Sequence, residues 1–152
     1  MEFESFVDRT EIAIIKMVEQ AGYQIEENTQ SCLENNEYAG FLDKRKKVLI
    51  ICTNNAKKRE NYLLLRKIDK EAFERTALHI KKALRHEAVH VAQECNGGKL
   101  LNIEENLTIP PSKMKALNKS IKISGEEEKE RQAYILESRP ELVEKKLEKY
   151  CL

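Results

Sequence analysis

The chain has 152 residues, a length that suits one domain with a modest core and not two independent ones. Charged residues make up 35% and the net charge is +1, with both signs mixed throughout, so nothing points to a nucleic-acid partner. The longest apolar run, Val48 to Cys52, is far too short for a membrane span, and Met1-Glu2-Phe3-Glu4 lacks the basic and apolar regions of a signal peptide, so a soluble, cytoplasmic protein is the default expectation. Cys32, Cys52, Cys95 and Cys151 are scattered without a Cys-x-x-Cys pair; neither a zinc knuckle nor a redox motif is indicated, and reduced thiols are expected.

Taken in order, Phe3 to Ala21 reads as one amphipathic helix, with Phe3, Phe6, Val7, Ile14, Ile15, Met17, Val18 and Ala21 at helical spacing and Gly22 as its stop. Gln24 to Asn36 is polar and reads as a loop, although Cys32-Leu33 can tuck inward. Tyr38 to Leu42 and Val48 to Thr53 are short β-prone runs, and the charged turn Asp43-Lys44-Arg45-Lys46-Lys47 between them makes a β-hairpin. That basic run reads as a solvated turn. Tyr62 to Ile68 is apolar and short, and periodicity leaves it open between strand and helix.

Asp69 is a candidate N-cap for a long helix that runs without Gly or Pro to Cys95 and stops at Asn96-Gly97-Gly98. Lys99 to Pro111 reads as a connecting loop, and Pro111 can open a short helix through Lys119. Glu126 to Ser138, after Gly125, is rich in helix formers. Pro140 starts a last helix, Glu141 to Tyr150, striped by Leu142, Val143 and Leu147. The whole is a mostly helical α+β domain with a small β-hairpin or sheet.

The long helix carries Arg85-His86-Glu87-Ala88-Val89-His90. Histidines four residues apart lie one above the other on a helix face and can share one metal ion. Glu87 is about 100° round from His86, so its carboxylate can point at a water on that ion without displacing an imidazole. This is the pattern His-Glu-x-x-His, in which zinc acidifies a water and the glutamate takes its proton. Ala83, Leu84, Ala88, Val89, Val91 and Ala92 supply the apolar surface that would bury the helix and hold the ligands rigidly.

Catalytic zinc wants three protein ligands and one open position. His79, the remaining histidine, lies two turns (about 10 Å) before His86 and is out of reach; it reads as a half-buried polar residue or a group lining the cleft. The best third ligand is Glu130 in Glu130-Arg131-Gln132-Ala133, where Glu and Ala share a face and the small Ala133 allows close helix approach. Glu126, Glu127, Glu128 and Glu137 compete with it, although acidic residues at a helix start ordinarily compensate the dipole.

His86, Glu87 and His90 followed by Glu130 and Ala133 resemble the gluzincins, zinc metallopeptidases that pair His-Glu-x-x-His with a later helix bearing Glu-x-x-Ala. The run His86 to Gln93 is also similar to small gluzincin-like peptidases of bacteria and their phages. The resemblance covers about a third of the chain and rests on two short motifs. It implies a minimal zincin-like fold, zinc on His86, His90 and Glu130, Glu87 as general base, and hydrolysis of a peptide or protein substrate. Many such enzymes place an aspartate after the Ala to support a zinc-bound histidine; here Tyr134 stands there, so another carboxylate or carbonyl must orient the imidazoles. The Tyr134 hydroxyl would then face the cleft as an oxyanion donor or pack in the core. Strand Val48 to Thr53 could pair with an extended peptide, by analogy with the family. The alternative to an enzyme is a catalytically silent zinc-binding domain that regulates or docks a partner, and a third reading is a helical interaction protein without metal.

Overall fold

In a computed structural model, which describes residues 1–62, 70–103 and 107–152, the first amphipathic run folds as two pieces. A 3-10 turn, Glu2–Phe6, buries Phe3 and Phe6, and helix α1 spans Arg9–Gln20. Val7 between them is extended (φ −112°, ψ 158°). The break has a local cause: the Asp8 backbone N–H donates to the Glu11 carboxylate at 3.2 Å, the Asp-x-x-Glu arrangement that starts a helix. Ile14 and Val18 on α1 are fully buried.

The stretch read as a polar loop holds strand β1 (Gln24–Glu27) and the short helix α2 (Gln30–Glu34). With β2 (Gly40–Asp43) and β3 (Val48–Ile51) it completes a three-stranded sheet in the order β1-β3-β2. The expected hairpin is present, with Phe41 opposite Ile50 and Leu42 opposite Leu49 in antiparallel register. β1 pairs in parallel with the other edge of β3. Its end is fixed by Glu27, whose carboxylate accepts from the backbone N–H groups of Glu2 (3.0 Å) and Phe3 (2.6 Å) and from the Thr53 hydroxyl (2.6 Å). The strand expected to reach Thr53 stops at Ile51, and helix α3 (Thr53–Arg59) follows.

Helix α4 (Lys70–Cys95) is the axis of the domain. The ambiguous run from Tyr62 to Ile68 and the candidate cap Asp69 lie, Tyr62 apart, outside the described residues. Ile80, Leu84, Ala88, Val89, Val91 and Ala92 on α4 are fully buried. The helix stops as expected, with Gly97 and Gly98 at positive φ (70° and 76°), where a side chain would be strained. After a 3-10 turn at Pro111–Lys113, α5 (Met114–Ser124) runs five residues past the expected end at Lys119 and is closed by Gly125 in the left-handed conformation. Helices α6 (Glu127–Leu136) and α7 (Pro140–Cys151) complete the chain, both packing on α4. Ile14, Val18, Leu49, Ile51, Ile80, Leu84, Leu136 and Leu147 meet in one apolar cluster between helices and sheet. Among the described residues no helix is long and apolar enough to cross a membrane.

The expectation of reduced thiols is corrected. Cys32 is bonded to Cys52 and Cys95 to Cys151, partners 20 and 56 residues apart that only the folded chain brings together. One bond ties α2 to the end of β3; the other ties the C-terminal end of α4 to α7. In the chain-entropy model, loops of 20 and 56 residues contribute about 3 and about 4 kcal/mol. Reduction by a thiol is therefore expected to lower the urea midpoint markedly, and Cys95→Ser more than Cys32→Ser.

Candidate metal centre

His86, Glu87 and His90 sit in the buried half of α4, exposed by 8%, 9% and 6%. Facing them is α6, whose Ala133 is fully buried and lets the two helices approach. That approach carries Glu130 to the histidines. Its two carboxylate oxygens lie 3.2 Å from His86 Nε2 and 2.8 Å from His90 Nε2. One donor atom from each of the three residues falls within 4.8 Å of the others. In a tetrahedral zinc site with bonds near 2 Å, ligand atoms are about 3.3 Å apart, so a small adjustment brings the three onto one ion.

The far sides of both rings are also held. His86 Nδ1 is 3.2 Å from Glu137 Oε1, and His90 Nδ1 is 2.8 Å from Gln93 Oε1. Gln93 donates its amide to the Lys129 carbonyl (3.1 Å) and to Gln132 Oε1 (3.1 Å), which leaves its oxygen to accept. Gln132 in turn is clamped to the backbone of Leu101 through both its amide groups, at 3.0 and 2.8 Å. Each Nδ1 therefore carries a proton, and each Nε2 presents its other face to Glu130. Carboxylate and carbonyl partners behind the rings are the kind that orient imidazoles bound to a metal. Glu137, a competitor for the metal in the sequence, sits behind the ring instead; its second oxygen is 3.6 Å from Lys113 Nζ, and Arg85 Nη1 donates to its backbone carbonyl at 2.8 Å.

Carboxylates and imidazoles shift one another's charge in the site. Burial works against a charge on His86, but the hydrogen-bonded carboxylates of Glu130 and Glu137 outweigh it and lift its pKa to about 10. Burial likewise opposes charge on Glu130, yet the two imidazoles hold its carboxyl well below the usual range. Burial pushes the Glu87 carboxyl up, with the histidines pulling the other way. Three carboxylates around two imidazoles, with both Nε2 atoms turned to one point, suit a divalent cation of the zinc type.

Gly40 of β2 brings the sheet against this site. A Cβ there would come within 3.2 Å of the Ala83 Cβ and 3.4 Å of the Glu87 Cγ. β2, not β3, is thus the strand beside Glu87. Val48–Ile51 is the central strand, paired on both edges, so it has no free edge for an extended peptide; that expectation is corrected.

The remaining candidates lie elsewhere. Glu126 pairs with Lys44 and Lys129, and Glu127 and Glu128 with Arg131, at the surface. His79 is half-buried against Glu60 at 2.7 Å. The Tyr134 ring packs edge-on against His86, 4.4 Å between centroids, while its hydroxyl turns to Ser120 Oγ (2.6 Å) and the Ala116 carbonyl (3.2 Å) on α5. Gln93 was not singled out in the sequence, although its place three residues after His90 put it on the same face. Glu137→Gln and Gln93→Leu are each expected to weaken zinc binding about 10- to 100-fold, read by competition with a chromogenic chelator.

The chain is therefore a mostly helical α+β domain with a buried His-His-Glu cluster on two packed helices. It belongs to the family described as Domain of unknown function (DUF8637), whose model matches residues 3–152. No curated protein and no solved structure matches it.

Proposed function

We propose that this is a zinc-dependent metallopeptidase of gluzincin type, in which His86, His90 and Glu130 hold the ion and Glu87 is the general base. The observation that carries the reading is the convergence of both Nε2 atoms on the Glu130 carboxylate, with each Nδ1 tied from behind. When bound, zinc supplies the Lewis acidity that polarises a carbonyl and brings the pKa of a water to ~7. The chain's own residues do the rest. Glu137 and Gln93 fix the protonated Nδ1 atoms and thereby aim the Nε2 atoms, whose lone pairs become available to the ion once the Nε2 proton leaves. Glu87, its pKa raised by burial, is the group that takes a proton and passes it to a leaving amine. A structural zinc needs no such base, which weighs against the silent zinc-binding reading.

A peptide substrate is what the resemblance to gluzincins implies, and the edge of β2 that no strand pairs with among the described residues, on the strand whose Gly40 meets Glu87, is the place where an extended chain would pair. For location, the two disulfides weigh towards an oxidising compartment and against the cytoplasm. The test is cleavage of a mixed peptide library by the purified protein. Products that disappear on treatment with a chelator and return with zinc support the proposal; intact peptides under all three conditions leave the silent zinc-binding domain in its place.

A further inference from the structure

We propose that α5 is a lid over the metal centre, latched across the cleft by the ion pair between Lys119 on α5 and Glu37 just before β2. The inference rests on the peptidase reading for its purpose but not for its test. Every group of the cluster is at most 9% exposed, so a peptide cannot reach Glu87 unless something moves. The segment tied across to the start of β2 is α5. Lys119 Nζ on α5 meets Glu37 Oε2, just before β2, at 2.7 Å. Glu126, the N-cap of α6 beyond Gly125, meets Lys44 Nζ, just after β2, at 3.0 Å and so holds α6 rather than α5 to that turn. The strand beside the general base is thus tied at its start to α5 and at its end to the start of α6.

The inner face of α5 carries the buried Leu117 and Ser120. Leu117 is fully buried. Ser120, one turn on, is 8% exposed and holds the Tyr134 hydroxyl, while the Tyr134 ring lies against His86. α5 therefore touches the metal centre through Tyr134. Its other attachments are slight, since it packs chiefly on α6 and the preceding 3-10 turn. At its end Gly125, with φ 70°, gives a point about which the helix can swing. In the latch, Lys119 and Glu37 are 45% and 65% exposed. A pair so exposed contributes little to the stability of the fold and is cheap to break, as a latch must be.

The test is amide hydrogen exchange by mass spectrometry on four whole proteins: the parent, Glu37→Lys, Lys119→Glu and the double swap. Each single reversal puts like charges face to face. It is expected to speed exchange in residues 114–124 about three- to five-fold while α4 keeps its protection, and the double swap is expected to return the parent rate. In zinc-loaded protein the same single variants should release zinc to 4-(2-pyridylazo)resorcinol faster by a similar factor. If a variant loses protection in α4 as well, it has unfolded; the parent compared at about 0.05 and about 0.5 M salt, which screens the exposed pairs, then decides. Equal exchange across 114–124 in all four proteins and at both salt concentrations overturns the lid. Should the protein take up no zinc, the exchange readout still decides the lid while the peptidase reading falls; should peptides be cleaved with α5 indifferent to the reversals, the lid falls alone.

Discussion

Glu130→Ala is expected to cost the protein its zinc and, in the metal-free state, much of its stability. Glu130 is the carboxylate on both Nε2 atoms, and its removal deletes one of three ligands and leaves two buried imidazoles facing nothing. Zinc affinity should fall by more than about 100-fold, beyond the range for a supporting residue. Removing one partner from a buried ion pair typically costs about 3–5 kcal/mol. The pH dependence follows from the shifts. His86, raised from 6.5 to about 10, adds stability that is complete below pH 6.5 and is lost as pH rises towards 10. Glu130, lowered from 4.5, adds stability that is present above pH 4.5 and is lost in acid as its own depressed pKa is approached. Metal-free parent should therefore be most stable between 4.5 and 6.5 and weaken steadily towards 10. Zinc binding should run the other way, tightening as pH rises, because the Nε2 proton must leave. Urea unfolding and zinc titrations at three pH values read both trends, and in Glu130→Ala both should flatten.

Glu87→Gln should separate chemistry from binding. Glutamine keeps the shape and removes only the proton-accepting carboxylate. Loss of a positioned general base is expected to lower peptide cleavage about 10²- to 10⁴-fold, with zinc content unchanged. Stability should not fall. Burial raises the Glu87 pKa, so folding disfavours its charged form and the penalty grows above pH 4.5. A neutral glutamine escapes that penalty. A variant that keeps its zinc and its urea midpoint but not its activity identifies the base; unchanged cleavage would remove Glu87 from the chemistry.

Much of this site was legible because helical spacing is local. His86, Glu87 and His90 follow from one turn of helix, and the Glu130 and Ala133 spacing set the second helix close enough for a carboxylate to reach across. What stayed hidden depends on pairing at a distance. β1 has a half-buried Ile25 between the polar Gln24 and Glu26, and only β3 beside it makes it a strand. The apolar spacing of Phe3 to Ala21 ran through the break at Val7, while the Asp8 and Glu11 signal for a helix start went unused. Neither disulfide could be read from spacing, since partners 20 and 56 residues apart meet only in the fold. Glu137 was visible as an acid near the site, but whether it would face the ion or the back of His86 depended on how α6 turns against α4.

The most direct measurement is anomalous diffraction at the zinc edge from crystals grown with zinc. A single strong peak is expected between His86 Nε2, His90 Nε2 and the Glu130 carboxylate, with Glu137 and Gln93 behind the rings. A peak on other carboxylates, or none while Glu130 stays hydrogen-bonded to both histidines, would contradict the zinc centre and the peptidase built on it.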